Sequence, residues 1–322
     1  MIVSIKRYSS EYKNEWDNFV NSSKNGVFFF LRDYVEYHSH RFIDYSLMFY
    51  FDKNLIAVLP ANLNDNVLFS HGGLSFGGMV LDSKITTLRA TEVFLELWKF
   101  LQQNGITEII YKCIPSIYHI HPAEEDLYSL YQADALLIKR LPSAVIRMDN
   151  KIKFQNLRQR GIKKGVKSGV TVCETDNYTL YWDMLSANLM NKYKVAPVHS
   201  LEEIEYLRNK FPTNIRLFAS FQHEEMVGGV VIYENVHVVR AQYIASVPGG
   251  RSIGAVDVIF NYLINEYYCD KDYFDFGVST ETYLVNDKLI LNKGLIAQKE
   301  GFGARSVMYD TYKINIYEKE DL

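Results

Sequence analysis

The alternation of hydrophobic and polar residues predicts an ordered series of strands and helices in the first half of the chain. Apolar residues with strand-like spacing indicate three consecutive strands within 45–70. A glycine-rich turn, HGGLSFGG, follows at 71–78, and a helical period covers 86–103. A further strand is predicted at 108–114. This half is therefore predicted to form three antiparallel strands, a glycine turn, a helix and a strand.

The second half of the chain repeats this order. Three strands are predicted within 215–244, and the glycine turn PGGRSIGA follows at 248–255. A helix at 256–267 and a strand at 273–276 complete the series. Repetition of a whole set of elements after roughly 170 residues indicates duplication of one fold. We therefore predict two α+β domains, residues 1–148 and 149–322, which suits a chain of 322 residues.

Composition excludes several classes of protein. Hydrophobic residues make up 48% and charged residues 23% of the chain, which is ordinary for a globular protein with a large core. The net charge of −3 argues against a general DNA-binding protein. The 24 tyrosines and 19 phenylalanines suit grooves for sugars, nucleotides or peptides, and they equally suit ordinary strands.

Cysteine usage and hydropathy predict a cytoplasmic protein. Cys113, Cys173 and Cys269 are widely spaced, so they indicate neither a disulfide framework nor a zinc ribbon. The first residues lack the apolar core of a signal peptide, and no run of 18 apolar residues occurs. We expect no permanently bound cofactor and no metal site, since His119 and His121 have no third ligand at a recognisable spacing.

The stretch at 273–305, YFDFGVSTETYLVNDKLILNKGLIAQKEGFGAR, has the pattern most typical of a site. It predicts a strand, a polar loop, a helix at 288–300 and a glycine stop. Asn292 and Lys299 share the apolar helical face of Leu295. Either the lysine extends its stem along the protein and its head into water, or it contacts a ligand.

Both glycine turns lead from a strand into a helix, where free backbone N–H groups favour anions. The alternative is that these glycines only allow a tight turn. In the second half, the candidate anion-binding residues are Gly249, Gly250, Arg251 and Gly254. In the first half, His71 beside the turn is a candidate base, with a structural histidine as the alternative.

Several segments together resemble a known superfamily. They are SHGGLSFGG and YKCIPSIYHIHPAEEDLYSLY in the first half, and LRQRGIKKGVKSGVTV, AQYIAS, YFDFGVST and LNKGLIAQKEGFGA in the second. The chain resembles the GNAT acyltransferases, and its tandem arrangement is similar to the FemABX aminoacyltransferases that modify cell-wall precursors. Arg251 and Gly254 match the Arg-x-x-Gly of the GNAT pyrophosphate turn, whereas the next small residue, Ala255, comes one position early.

The resemblance implies two tandem GNAT-like domains, each a mixed, mostly antiparallel central sheet flanked by helices. It implies an acyltransferase whose co-substrate is acyl-CoA or aminoacyl-tRNA. The acceptor would be an amine or hydroxyl of a cell-envelope precursor such as an amino sugar or peptide, in a groove between the domains. The alternative is a glycan- or peptide-binding module without catalysis. GNAT-type chemistry needs positioning and an oxyanion donor rather than a covalent nucleophile.

Polar residues near the predicted strand ends are the candidates for these roles. Asp275 is a candidate base or a loop cap, and Gln242 can orient the oxyanion. With His71 they form the predicted catalytic set. The predicted substrate-binding residues are Lys112, Tyr118, His119, Tyr243, Ser279, Asn292, Lys293 and Lys299.

A basic segment contrasts with the acidic chain. Arg160, Lys163, Lys164 and Lys167 form one stripe if 154–168 is helical. Such a stripe suits tRNA, a nucleotide- or lipid-linked precursor, or an anionic membrane surface, and it is also compatible with a plain solvated face.

Overall fold

The computed structural model describes residues 3–285 and 288–316. The chain forms two compact units, one made of Met1–Leu141 with Met308–Leu322 and the other of Pro142–Val307. The sequence-based boundary at 148/149 assigned the whole C-terminal end to the second domain. The units differ from that boundary because the last strand pairs with a strand of the first unit.

The first unit, unit 1, contains short strands and one long helix. Its elements are β1 (Ser4–Arg7), α1 (Lys13–Ser22), α2 (Arg32–Val35), β2 (Ile43–Asp44), β3 (Leu47–Phe51), β4 (Asn54–Leu59), β5 (Asn62–Asn64), β6 (Val67–Phe69), β7 (Val80–Leu81), α3 (Thr87–Gln103), β8 (Glu108–Lys112) and α4 (Glu125–Gln132). The strand β9 (Leu136–Arg147) begins in unit 1 and ends in the second unit. The predicted helix at 86–103 is confirmed, and Thr86 caps it by accepting from the Arg89 backbone N–H.

Strands of unit 1 pair in two groups. One antiparallel group has the order β1-β3-β4-β7. In the other, β2, β5 and β6 pair antiparallel, and β6 pairs parallel with β8 across the α3 crossover. The apolar face of α3, including Val93, Phe94 and Leu97, is fully buried in the core of this unit.

The second unit, unit 2, has longer strands. Its elements are α5 (Asn156–Lys167), β10 (Thr171–Glu174), α6 (Tyr178–Tyr193), α7 (Leu201–Lys210), β11 (Ile215–Gln222), β12 (Glu225–Glu234), β13 (Val238–Ser246), α8 (Pro248–Ser252), α9 (Ala255–Tyr262), β14 (Tyr273–Val278), β15 (Thr280–Val285), β16 (Lys288–Leu291), α10 (Lys293–Glu300) and β17 (Arg305–Asn315). The last strand, β17, ends in unit 1, where Thr311–Asn315 pair antiparallel with β8. A π-helical turn, Leu263–Tyr267, extends α9.

The sheet of unit 2 repeats the plan of unit 1. Strands β10 to β13 pair antiparallel in chain order, and β14 pairs parallel with β13 across the α9 crossover. On its other edge β14 pairs antiparallel with β9. Each unit thus contains antiparallel strands and one parallel partner across a crossover helix. In unit 1, however, the three strands that the sequence predicts divide between the two groups, because β3 and β4 pair with β1 and β7, whereas β6 pairs with β5 and β8. The core of unit 2 includes Phe218, Phe260, Phe274 and Phe302.

One predicted helix is wrong over part of its length. Residues Lys288–Leu291 form β16, which pairs with β15, and the helix begins only at Lys293. The physical reason is a cap at Asn292, whose side chain accepts from the Leu295 backbone N–H and defines the start of α10. Asn292 therefore precedes the helix that the sequence pattern placed it on.

Among the described residues, no helix combines the length and the apolar character that crossing a membrane requires.

Candidate functional site

The parallel strands β13 and β14 of unit 2 separate at their C-terminal ends. Their pairing covers Val238 to Arg240 of β13 and Tyr273 to Asp275 of β14. Beyond that point β13 continues to Ser246 and β14 to Val278, with no further pairing between the two along the described strands. Two neighbouring strands therefore present backbone groups to a gap between them, which we call the β13–β14 gap.

A bulge in β14 shapes one wall of this gap. The register with β9 shifts between Asp275 and Val278, and Gly277 adopts a φ of +75°, which favours glycine. Asp275 is fully buried, and its carboxylate accepts from the Ser143 hydroxyl at 2.5 Å and the Gly277 backbone N–H at 2.7 Å. This geometry matches the loop-capping role considered for Asp275.

Lys299 of α10 donates hydrogen bonds to the backbone carbonyl groups at the bulge. Its Nζ donates to the carbonyl oxygens of Gly277 and Val278, both at 2.8 Å. The side chain is 4% exposed, and burial lowers its pKa to about 7, with Asp275 opposing and Arg240 reinforcing that shift. The head of this lysine thus lies inside the protein at the gap, contrary to the solvated-head alternative.

Arg240 connects two of the predicted catalytic residues. Its Nη1 lies 3.7 Å from the Asp275 carboxylate, and its Nε donates to the Gln242 side-chain oxygen at 3.1 Å. A register shift in β13 next to Gln242 places these side chains together. Gln242, Asp275 and Lys299 consequently belong to one cluster.

A cavity of about 820 Å³ opens beside this cluster, entirely within unit 2. Its wall includes Ile244 to Ser246 of β13, Phe276 of β14 and Lys299. Asn188 of α6 supports the end of β13 by donating to the Ser246 carbonyl at 2.8 Å. One part of the lining is apolar, formed by Leu185, Phe260, Phe276, Leu295 and Phe302.

Another part of the lining is cationic. Arg160 and Lys164 from α5, Lys192 from α6 and Arg251 from α8 line the cavity and are all exposed. Asp257, which also lines the cavity, is paired with Arg158 at 2.6 Å. An anionic group joined to an apolar one fits this combination of surfaces.

The turn at 248–255, which the sequence predicts to bind an anion, is partly helical in the structure. Residues Pro248–Ser252 form α8, and Gly254, at φ +81°, precedes α9. A side chain at Gly254 would lie 2.2 Å from the Gly161 carbonyl oxygen, and one at Gly250 would lie 2.1 Å from that of Val227. These two glycines allow close backbone packing, whereas Gly249 has open space and Arg251 lines the cavity.

The other predicted residues of unit 2 divide between the cavity and its surroundings. Asn292 lines the cavity, and Lys293 is exposed at the start of α10. Ser279 is fully buried, and its hydroxyl has no hydrogen-bond partner within the described part of the chain. The Tyr243 hydroxyl and His199 Nδ1 are 2.5 Å apart, and the tyrosine ring packs edge-on against Trp182.

In unit 1, Lys112 at the end of β8 contacts the loop that contains His71. Lys112 Nζ donates to the carbonyl oxygens of His71, Gly72 and Leu74, and burial lowers its pKa to about 8. His71 is 2% exposed, and burial lowers its pKa to about 3, so its ring is neutral. Its ring packs against His38 with centroids 5.0 Å apart.

Tyr118 and His119 lie in the loop that follows β8. The hydroxyl groups of Tyr118 and Tyr309 are 3.3 Å apart, and His119 Nε2 lies 3.1 Å from the Ile114 carbonyl oxygen. Burial lowers the pKa of His119 to about 4. Across the described ranges, no three His, Cys, Asp or Glu side chains are grouped as metal ligands.

Sequence reasoning did not identify Ser143, Arg240, Lys192 or His199 as part of these clusters. A local signal existed for Arg240, which precedes Gln242 by two residues and so lies on the same side of a strand. Ser143 is 132 residues from Asp275, and no sequence period relates the two.

Comparison with known proteins identifies the fold. No protein-family model and no curated protein matches the sequence. FemX superposes with a TM-score of 0.66 at 10% identity, over 95% of this chain and 96% of FemX. A conserved protein of unknown function from Bacteroides thetaiotaomicron gives 0.61 at 10% identity, over 98% of this chain and 100% of that one. L-PGS from Bacillus licheniformis gives 0.56 at 12% identity, over 85% and 84%.

These similarities, at such low identities, establish the fold alone. The chain has a FemX-like fold of the GNAT type, and the predicted α+β class with two tandem GNAT-like domains is confirmed.

Proposed function

We propose that this protein is an acyltransferase that moves an acyl or aminoacyl group from an anionic carrier to an amine or hydroxyl group. The observation that carries the proposal is the cavity at the β13–β14 gap, with Lys299 in its wall. An acyl group in that position would lie between two strand ends whose backbone groups can hold an extended chain. The reaction needs no covalent intermediate on the protein.

Lys299 is our principal candidate for stabilising the transition state. Two of its N–H groups hold the Gly277 and Val278 carbonyl oxygens, which keeps the ammonium group in one place. The third N–H is available to an oxyanion that develops at the transferred carbonyl group. Asp275 and Gln242 would act by positioning, because Asp275 secures the bulge and Gln242 is linked to it through Arg240.

The cations around the cavity suit a carrier with phosphate groups. Arg160, Lys164 and Lys192 have exposed side chains at the cavity, whereas the first turn of α9 packs against α5 at Gly254. We therefore propose that the phosphates of the carrier bind to these cations and not to the first turn of α9. Acyl-CoA and aminoacyl-tRNA both supply such phosphates.

The acceptor is proposed by analogy of fold and sequence. The FemX-like fold and the FemABX-like motifs support a cell-envelope precursor such as an amino sugar or a peptide. His71 is buried and His119 is half-buried, with its ring against the Ile114 carbonyl oxygen, which favours structural roles for both histidines in unit 1.

Ligand-induced stabilisation identifies the carrier class. The melting temperature is measured in the presence of acetyl-CoA, longer acyl-CoAs, aminoacyl-tRNA or nucleotide sugars. A ligand that binds the folded state raises this temperature. We expect one acyl carrier to stabilise the protein and Lys192→Gln to weaken that effect. A shift with nucleotide sugars alone would favour the non-catalytic glycan-binding module.

Turnover with the identified carrier then separates catalysis from binding. We expect Lys299→Gln to reduce kcat on the order of 10²-fold, as for loss of an oxyanion donor. Asp275→Asn and Gln242→Ala are expected to have smaller effects. Full turnover in all three variants would refute the site, and binding without turnover in the wild type would refute the enzyme.

A further inference from the structure

The outward side of α5 is strongly basic. Arg160, Lys163 and Lys167 are exposed on it, and no acidic residue occurs between Lys151 and Cys173. The whole chain has a net charge of −3, so this segment is locally opposite to the rest. The helix is 12 residues long, which allows one side to be buried and another to face outward.

Two glycines define which side of α5 is buried. A side chain at Gly161 would lie 2.0 Å from the Asp257 carboxylate, and one at Gly165 would lie 2.4 Å from Val258 Cγ2. Arg158 is paired with Asp257 on the same side. Because α5 packs so closely on α9, its basic side is held outward in a definite orientation.

Aliphatic side chains are exposed along both edges of this basic side. Leu157 is 57% exposed beside the 820 Å³ cavity, and Val166 is 62% exposed on the opposite edge. Ile152 is 46% exposed and shares the wall of a shallow depression with Lys153 and Lys163. We name the resulting surface the basic–aliphatic face, and it consists of Ile152, Lys153, Leu157, Arg160, Lys163, Val166 and Lys167.

We propose that the basic–aliphatic face docks on the surface of an anionic lipid bilayer. Its cations are attracted by acidic headgroups, and its aliphatic side chains can enter the interface between headgroups and acyl chains. Charge complementarity and the exposed aliphatic residues together specify this partner. Docking does not depend on the proposed transfer reaction, although it would place a cavity lined by Leu157 and Arg160 next to the lipid surface.

A nucleic acid fits the same face less well. Exposed aliphatic groups gain nothing from phosphates, and lysines outnumber arginines, the residue suited to bidentate phosphate contacts. Single strands also require aromatic side chains for base stacking. Phe154, the aromatic residue of this segment, is half-buried and packs edge-on against Phe302.

Sedimentation with lipid vesicles tests the proposal on the full chain. Vesicles of phosphatidylcholine with about 30% phosphatidylglycerol, typical of an anionic surface, are compared with pure phosphatidylcholine at low and high salt. We expect binding to the anionic vesicles alone, weakened by salt. Lys163→Gln with Lys167→Gln should weaken vesicle binding about 25-fold, at about fivefold for each cation removed.

Two further variants make the result specific. Val166→Ser should weaken vesicle binding and leave its salt dependence unchanged, because it removes apolar area without removing charge. Lys53→Gln with Lys84→Gln removes the same charge from exposed positions elsewhere and should bind like the wild type. Equal melting temperatures for all variants establish that each is folded.

Three results would overturn the proposal. They are the absence of binding to anionic vesicles, equal binding to neutral vesicles, and unchanged binding by the Lys163/Lys167 variant. Bulk tRNA is included as a competitor. If the Lys163→Gln/Lys167→Gln variant loses its binding to tRNA but keeps its binding to anionic vesicles, the face is assigned to nucleic acid instead.

Discussion

Two lysines, the half-buried Lys112 and the buried Lys299, donate hydrogen bonds to backbone carbonyl groups in the two units. Lys112 donates to three loop carbonyl groups in unit 1, and Lys299 donates to two in unit 2. Carbonyl groups released from regular pairing need donors when they are buried, and an ammonium group supplies up to three. Lys299 differs because it also lines the large cavity, which makes it our candidate for catalysis.

The pH dependence of transfer should follow Lys299. Burial lowers its pKa to about 7, so the ammonium form is present below that pH and is lost as the pH rises through it. If the ammonium stabilises the oxyanion, kcat falls above about pH 7. A pH–rate profile of the wild type against Lys299→Gln checks this, and the same inflection in the variant would contradict it.

A second titration is expected in unit 1, at Asp126 of α4. Burial raises the pKa of Asp126 from 3.8 to about 7, although Tyr111 donates to its carboxylate. A carboxyl group whose pKa is raised on folding favours the folded state below the unfolded-state pKa. That contribution is lost as the pH rises through about 7.

Asp126→Asn should therefore flatten the pH dependence of stability. The amide oxygen still accepts from Tyr111, but the side chain no longer titrates. Chemical denaturation at a series of pH values from 3.8 to about 7, the range spanned by the pKa shift, gives the free energy of unfolding for both proteins. Parallel pH curves for wild type and variant would show that Asp126 does not titrate in this way.

At the scale of elements, the close contact of α5 with α9 depends on small residues. Gly165 is buried, and a methyl group there would lie 2.4 Å from Val258 Cγ2 and 3.1 Å from the Ile253 carbonyl oxygen. The Ile253 carbonyl oxygen belongs to the backbone, so it cannot easily move away from an added methyl group. The spacing of Gly161 and Gly165 by four residues places both on one side of the helix.

Gly165→Ala should thus destabilise the protein by about 1–3 kcal/mol through overpacking, despite the better helix propensity of alanine. Gly294→Ala in α10 is the matched control, because its nearest neighbour would be the Asn292 side-chain oxygen at 3.7 Å. We expect that change to be neutral or slightly stabilising. Denaturant midpoints report both effects, and equal values for the two variants would contradict the packing argument.

At the scale of the whole molecule, unit 1 is completed by the end of the chain. Thr311–Asn315 of β17 pair with β8, and Ile314 and Ile316 are each 2% exposed in the core of unit 1. Unit 1 therefore includes two segments that are far apart in sequence. Its sheet is therefore completed by a strand that is distant from β8 in the sequence.

Ile314→Ala should destabilise unit 1 specifically, by about 2–5 kcal/mol for a buried isoleucine. Lys313→Ala changes the neighbouring residue, whose side chain is 35% exposed and paired with Glu108, and should cost less than about 1 kcal/mol. Hydrogen exchange provides the regional readout. Faster exchange in β8 with unchanged exchange in β12 is expected for Ile314→Ala, and uniform acceleration would contradict the assignment to unit 1.

The sequence alone was sufficient for most of the local structure of this protein. The strands at 215–246, the helix Thr87–Gln103 and the repeated order of elements follow from periods of two and about 3.6 residues. The stretch at 273–305 was also recognisable, since a lysine on an apolar face is a local anomaly. The predicted start of α10 near residue 288 was wrong, because the short apolar run at Lys288–Leu291 fits a strand and a helix equally well.

Only the tertiary structure decided which distant groups meet. The Ser143–Asp275 hydrogen bond, the capture of two carbonyl groups by Lys299 and the return of β17 to unit 1 depend on strand register and chain topology. Register is set by packing across the sheet and by a bulge at Gly277, neither of which is expressed in a local period. The sequence thus determined the elements and marked the candidate stretch. The tertiary structure determined which of its residues form a site, because contacts across many residues arise only when the sheet has formed.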